Sequence, residues 1–236
     1  MTNTHFWILQ KVLKRASRAS LEQVKTYRIL GETYGQYNSI ENWDCHDGEG
    51  REIPWYTYPA IEYLDSFDLN GVRVLEYGSG NSSIYYLNAG AEVTSVENDK
   101  GWFDKISASL ADKPHFTYFF EREEAQYVER DEIRNADIVV IDGRYRNACA
   151  RFVREQFQQK RIDPTMIVFD NSDRHPDCIA LLDEATGWNR CDFNGFGPIN
   201  SYTWTTSAYL NPSRQLPRKK PLAPIGGLGI LSADDS

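Results

Sequence analysis

Five side chains able to handle cations or protons stand where apolar runs of this chain stop: Glu76, Glu97, Asp142, Asp170 and Asn171. The first is followed by a bare stretch, Tyr77-Gly78-Ser79-Gly80-Asn81-Ser82-Ser83, before apolar residues resume at Ile84. Glycines directly after a strand supply unusual dihedrals or close backbone approach, while Asn81, Ser82 and Ser83 suit the start of a helix. Such a turn aims free backbone N–H groups and a helix N-terminus at one point, where a polar ligand can sit. Glu97 follows Glu76 by 97 − 76 = 21 positions. That is about the separation at which a carboxylate at the second strand tip accepts both hydroxyls of an adenosine ribose; Asn98 stands beside it. A dinucleotide-binding turn wants a third glycine where this chain has Ser83.

The later three oxygen-bearing groups close the runs "ADIVVIDGR" and "MIVFDNSDR". Neighbouring strands lie about 4.8 Å apart, so Asp142, Asp170 and Asn171 can converge on one cation, and Mg²⁺ is a hard ion that takes few carboxylates and an amide oxygen. Each also has a plainer job. Asp142-Gly143 can shape a strand-to-loop turn, and Asp170-Asn171 an Asx turn. His175, close by, is a candidate base because imidazole titrates near neutrality, or a surface residue beside Pro176. Arg144, Arg146 and Arg174 flank the same rim and can grip a carboxylate or phosphate, or serve as ordinary surface arginines. Tyr56 and Tyr58 can wall an acceptor pocket or pack in the core. Trp102, Glu121 and Glu123 follow the second and third strands on the ligand side.

Positioning these groups requires alternating strands and helices. Apolar periodicity and breakers predict strands over 72–77, 92–97, 116–120, 137–142 and 165–170. Helices are predicted over 82–90, 100–111, 147–160 and 177–185, with a polar helical stretch over 123–134. Repeated β-α units imply an α/β fold, a parallel sheet with helices on both faces. The segments "NRCDFNGF" and "SYTWTTSAYL" have a turn between them and no helix, which makes a terminal hairpin with one antiparallel strand. Residues 1–58 read as a helical extension, divided near a Ser20/Gln23 capping box, followed by an aromatic loop. Residues 59–210 form the main domain and 211–236 a Pro/Gly-rich tail, a solvated basic linker by composition.

The order Glu76-Tyr77-Gly78-Ser79-Gly80 resembles the first motif of the class I S-adenosylmethionine-dependent methyltransferases, and the resemblance covers about residues 55–210. It implies a Rossmann-like seven-stranded mixed sheet of order 3-2-1-4-5-7-6. It also implies S-adenosyl-L-methionine as cofactor, held by Glu76, Gly78, Ser79, Gly80, Asn81, Ser82, Glu97, Asn98 and Asp142. An acid before the turn suits a ligand with ammonium and sulfonium groups better than a pyrophosphate. Asp142 and Asp170-Asn171 are similar to the metal triad of the catechol O-methyltransferase group, which implies a metal that binds and activates the acceptor hydroxyl. That group has a lysine where this chain has Tyr145. The resemblance therefore implies O-methylation of a small hydroxylated or sugar-like acceptor, with Asp142, His175 and Tyr56 as catalytic candidates. The chain lacks an Asn/Asp-Pro-Pro-aromatic motif after the fourth strand, which opposes methylation of DNA base amines. A nicotinamide-dependent oxidoreductase and a non-catalytic cofactor-binding domain are the alternatives.

Composition narrows the partners. The chain has 236 residues, 41% hydrophobic and 13% aromatic, enough for one core. A net charge of −8 opposes non-specific nucleic-acid binding. No apolar run reaches the roughly 18 to 20 residues of a membrane span. Cys45, Cys149, Cys178 and Cys191 have no C-x-x-C spacing, so reduced thiols in a cytoplasm are expected. The opening residues, with Lys11, Lys14, Arg15 and Arg18 ahead of any acid, read as an amphipathic helix, with a transit peptide or a surface helix for an anionic partner as alternatives.

Overall fold

Short, mostly β-branched runs build the centre of the molecule. The computed structural model describes residues 17–110, 113–220 and 224–229. Its strands are β1 Arg73–Tyr77, β2 Glu92–Glu97, β3 Phe116–Phe120, β4 Ile138–Ile141, β5 Met166–Phe169, β6 Asn189–Gly195 and β7 Trp204–Leu210. They form one seven-stranded sheet in the order β3-β2-β1-β4-β5-β7-β6, the order the resemblance implied. Strands β1 to β5 pair in parallel, and β7 runs antiparallel to both β5 and β6.

Every residue of β4 and β5 is buried, as parallel strands covered on both faces require. Consecutive residues point to opposite sides and feed two cores. Val74, Ile138, Val140 and Val168 join one; Leu75, Val139, Ile141 and Ile167 join the other. The connecting helices, numbered from the N-terminus after α1 Arg18–Arg28, α2 Gln36–Asn42 and α3 Tyr58–Asp65, are α4 Asn81–Asn88, α5 Lys100–Leu110, α6 Glu124–Val128, α7 Arg146–Gln158 and α8 Pro176–Thr186. All four cysteines are free, and among the described residues no helix is long and apolar enough to cross a membrane.

Three expectations need correction. The stretch 123–134 is not one helix: α6 stops at Val128, and a 3₁₀ turn covers Asp131–Asn135. The capping box at Ser20 is not formed; α1 starts earlier, with the Ser17 hydroxyl accepting from the Ser20 N–H at 3.3 Å. The expected helix before it, with Lys11, Lys14 and Arg15, lies outside the described residues. The third concerns the segment after β7. Residues 211–220 are no solvated linker: Leu216 is buried, the Asp68 N–H donates to the Pro217 carbonyl at 2.9 Å, and the Lys219 N–H donates to that of Ser66 at 2.9 Å.

Candidate functional site

The parallel strands deliver their carboxyl ends to one side, and β1 lies where the connections diverge, to β2 on one flank and β4 on the other. Ligands of open α/β sheets bind beyond such a switch point. Gly78, just past β1, has φ +109, and a Cβ there would stand 2.9 Å from Gly143 Cα. Only glycine fits, because the loops after β1 and β4 touch. Gly80 is close-packed too: a Cβ would meet the Trp102 ring at 3.4 Å. The Trp102 indole N–H donates to the Ser79 carbonyl at 2.5 Å.

Glu76 holds this turn from beneath and does not reach the cleft. Its side chain is fully buried. It accepts hydrogen bonds from the hydroxyls of Ser82, of Ser83 at 2.5 Å and of Ser95 at 2.8 Å. Burial pushes its carboxyl up to about 7 against the opposing pull of those hydroxyls. The expected contact of Glu76 with a ligand amine is therefore replaced by a structural role: two of its donors are the first helical serines.

Glu97, at the tip of β2, does line the cleft. One oxygen accepts from the backbone N–H groups of Asn98 at 2.8 Å and Asp99 at 2.9 Å; the other accepts from Ser79 Oγ at 3.0 Å. A carboxylate has about four lone-pair sites, so one remains free. A second opens if Ser79 turns to its other partner, the Tyr118 hydroxyl at 2.6 Å. The site thus suits a vicinal diol. Asn98 contributes only its N–H here.

At the opposite half, β4 and β5 end in Asp142 and Asp170, with Arg146 between them. Arg146 donates to Asp142 Oδ1 at 2.9 Å, to the carbonyls of Asp142 and Gly143 at 3.1 Å each, and to the carbonyl of Asp170. Asp170 Oδ1 accepts from Trp204 Nε1 at 3.0 Å and Thr206 Oγ1 at 2.5 Å. Burial pushes both carboxyls above their ordinary range; Arg146 opposes this at both, and the Asp142 charge adds to it at Asp170.

These contacts bear on the metal expected at Asp142, Asp170 and Asn171. A guanidinium already occupies the cationic position, and Asp170 has spent an oxygen on two donors. The residues do not fit a divalent ion, and among the described residues no three His, Cys, Asp or Glu side chains are placed to hold one. Tyr145, at the position of the catechol group's lysine, gives its hydroxyl to the Arg122 carbonyl at 2.8 Å, away from the cleft.

The cleft between the two halves encloses about 510 Å³. Its roof is the aromatic loop that sequence reasoning left undivided: Trp43, Asp44, Cys45 and Trp55 line it, with Ile199, Asn200 and Tyr202 from the β6–β7 connection. The Asn81 amide ties this roof to α4 by donating to Asp44 Oδ1 at 2.9 Å and the Cys45 carbonyl at 2.6 Å. Gln36 ties it to the hairpin through the Gly197 carbonyl at 2.9 Å.

Gly78, Ser79, Gly80, Asn81, Ser82, Glu97, Asp142, Asp170 and Asn171 thus come together around one cleft. Tyr56 and His175 do not line it. Tyr56 is fully buried in the core, and Trp55 takes the wall position instead. The His175 ring packs on Phe169, centroids 5.7 Å apart, and burial together with Arg146 and Arg174 lowers its pKa.

No family profile matches this chain, and no curated protein matches it. Solved structures do. Precorrin-6Y C5,15-methyltransferase from Geobacter metallireducens GS-15 superposes with TM-score 0.49 at 12% identity, covering 72% of this chain and 96% of that one. A methyltransferase-like protein from Silicibacter pomeroyi DSS-3 gives 0.43 at 21% identity, covering 68% and 89%. Streptococcus pneumoniae Sp1610, solved in complex with S-adenosyl-L-methionine, gives 0.46 at 14%, covering 66% and 73%. Likeness at this level concerns the chain path alone.

Proposed function

We propose that this chain is an S-adenosylmethionine-dependent methyltransferase acting on a hydroxyl of a small acceptor. The observation that carries the reading is the meeting, in one cleft, of the Gly78–Gly80 turn, the Glu97 carboxylate with lone pairs to spare, and the Trp102 ring packed on Gly80. In that reading the turn meets the methionine part of the cofactor, Glu97 the ribose and Trp102 the adenine. When bound, S-adenosylmethionine supplies an electrophilic methyl group on a sulfonium.

The chain's own part is to align, desolvate and take a proton. In-line displacement needs chiefly that two reactants be held close and aligned, and half-buried Trp55 and buried Ile199 border the cleft with apolar surface. Asp142 lines the cleft and is held by Arg146. Its raised pKa brings it towards neutrality, where a general base works best, so it accepts the proton that the acceptor hydroxyl loses.

Calorimetry tests the reading directly. S-adenosylhomocysteine is expected to bind and NADH not, and Glu97→Ala is expected to weaken S-adenosylhomocysteine about 10- to 100-fold, the worth of charge-assisted hydrogen bonds. Asp142→Asn is expected to retain binding and lose about 100-fold or more in turnover. Absence of S-adenosylhomocysteine binding, or tighter NADH binding, would overturn it.

A further inference from the structure

Charge in the cleft is divided between its halves. The β1–β2 half carries Glu97, and Asp44 with Lys105 Nζ 3.8 Å from its carboxylate, whereas the two cationic side chains among the described lining residues, Arg146 and Arg174, both stand at the β4–β5 half. With strands about 4.8 Å apart, β2 and β5 are three spacings, about 14 Å, from one another. The two halves therefore address different parts of the bound molecules.

The two arginines are not equivalent. Arg146 engages four of its five N–H groups, on the Asp142 carboxylate and three carbonyls, and has none to spare for forked recognition. Arg174 is exposed, and among the described residues no carboxylate oxygen lies within 4.0 Å of its nitrogens. Its neighbour Asp173 is turned away and accepts from the Thr205 N–H at 3.0 Å. The Arg174 guanidinium sits over the Tyr202 ring, 5.3 Å from its centroid. The Tyr202 hydroxyl engages the guanidinium, and with five N–H groups Arg174 keeps an edge for an in-plane, two-pronged hydrogen bond to an oxyanion.

The charge balance decides which oxyanion. Arg146 offsets Asp142, and burial favours neutral Asp170, so Arg174 supplies the one lining positive charge not held in an ion pair, with exposed Asp173 acting on it at longer range. A carboxylate cancels it. A phosphate monoester carries about −1.5 to −2 at neutral pH and leaves excess negative charge beside Asp173 and the Arg146-paired Asp142. Trp43 and Trp55, edge to face at 5.8 Å, line the same cleft and present an apolar wall to a flat or ring-shaped body.

We propose that the acceptor is a hydroxylated small-molecule carboxylic acid, its carboxylate paired with Arg174 and its body against the Trp43–Trp55 wall. This rests on the methyl-transfer reading above and names the substrate class of that site.

The test is calorimetric titration of the full chain with two matched pairs, 4-hydroxybenzoate against 4-hydroxybenzamide and glucuronate against glucuronamide, with and without S-adenosylhomocysteine. At least one acid is expected to bind about tenfold or more tighter than its amide, as a charge-assisted pair provides. Arg174→Gln is expected to abolish that preference and leave S-adenosylhomocysteine affinity within about twofold, while Arg174→Lys restores part of it, keeping the charge without the fork. Equal binding of acid and amide in both pairs overturns the proposal, as does failure of both acids to bind or a preference that survives Arg174→Gln. So does a tenfold loss of S-adenosylhomocysteine affinity in Arg174→Gln with the acid preference intact, which would place Arg174 on the cofactor's own carboxylate. Failure of S-adenosylhomocysteine to bind the unmodified chain defeats the methyl-transfer reading instead, and the acid–amide comparison is then read without it.

Discussion

Three serine hydroxyls converge on Glu76 in a fully buried pocket, and folding raises its pKa from the usual 4.5 to about 7, chiefly through burial. Between those values the folded chain binds more protons than the unfolded one. The resulting stabilisation is complete below the unfolded pKa and is lost as pH rises through the folded one. Glu76→Gln removes the titration and keeps the shape. The unmodified chain is therefore expected to lose on the order of 3 kcal/mol relative to the Gln variant between pH 4 and pH 8. Urea unfolding of both at the two pH values measures it, and a gap that does not change with pH defeats the assignment. At this scale the sequence showed which residues mattered better than what they do. Glu76 is legible as an acid before a glycine turn, but its full burial depends on Ser95 of β2 across the sheet, which local spacing does not encode. Glu97 is legible because strand end and ligand side coincide. His175 and Tyr56 misled because both are close in sequence to lining residues, Arg174 and Trp55, and a step of one residue changes the direction of a side chain.

Elements were readable where a period exists. The strand bounds expected at 92–97 and 116–120 are those observed, since alternating or β-branched runs ended by polar residues leave little freedom. The roof from Trp43 to Trp55 has no period, so its lining role stayed hidden, and the start of α1 was displaced because Ser17 and Ser20 both suit a cap. The tip-to-tip contact of β1 and β4 was equally invisible, being a meeting of residues 65 positions apart, 143 − 78. Gly143 is hemmed in: a Cβ there would fall 2.1 Å from the Tyr127 hydroxyl and 2.7 Å from Gly78 Cα, and Tyr127 is fully buried. Gly78→Ala meets both this clash and an unfavourable φ. Each single substitution is expected to cost about 2–4 kcal/mol. Because the two residues share one contact, the double variant costs less than the sum. Chemical unfolding of the four proteins gives the coupling, and strict additivity would show that the two loops do not bear on each other.

At the scale of the whole molecule, residues 211–220 run across the end of the sheet opposite the cleft. Asn211 donates to Asp163 Oδ1 and to the Pro164 carbonyl, each at 2.8 Å. Arg214 reaches Asp137, just ahead of β4, at 2.9 Å, where Arg73 of β1 is already paired at 3.0 Å. Leu216 then enters the core beside α3, and the Arg218 guanidinium lies over Phe67, 4.1 Å from its centroid. Pro212, Pro217 and several basic residues make this segment read as a solvated linker, since proline ends strands and exposed cations are usually solvated. The structure uses both features differently. Pro217 needs no N–H, because it serves through its carbonyl on Asp68, and Arg214 is drawn in by the Asp137 carboxylate ahead of β4 and the Asp163 carbonyl ahead of β5. A strap placed there stabilises the sheet without touching the cleft, and the two roles are separable. Leu216→Ala is expected to lower unfolding free energy by about 2–3 kcal/mol, as for other buried leucines, with S-adenosylhomocysteine affinity within about twofold of the unmodified chain. Urea titration and calorimetry on the same sample measure both. A loss below about 0.5 kcal/mol, the level of an ordinary surface position, would return residues 211–220 to the status of a linker.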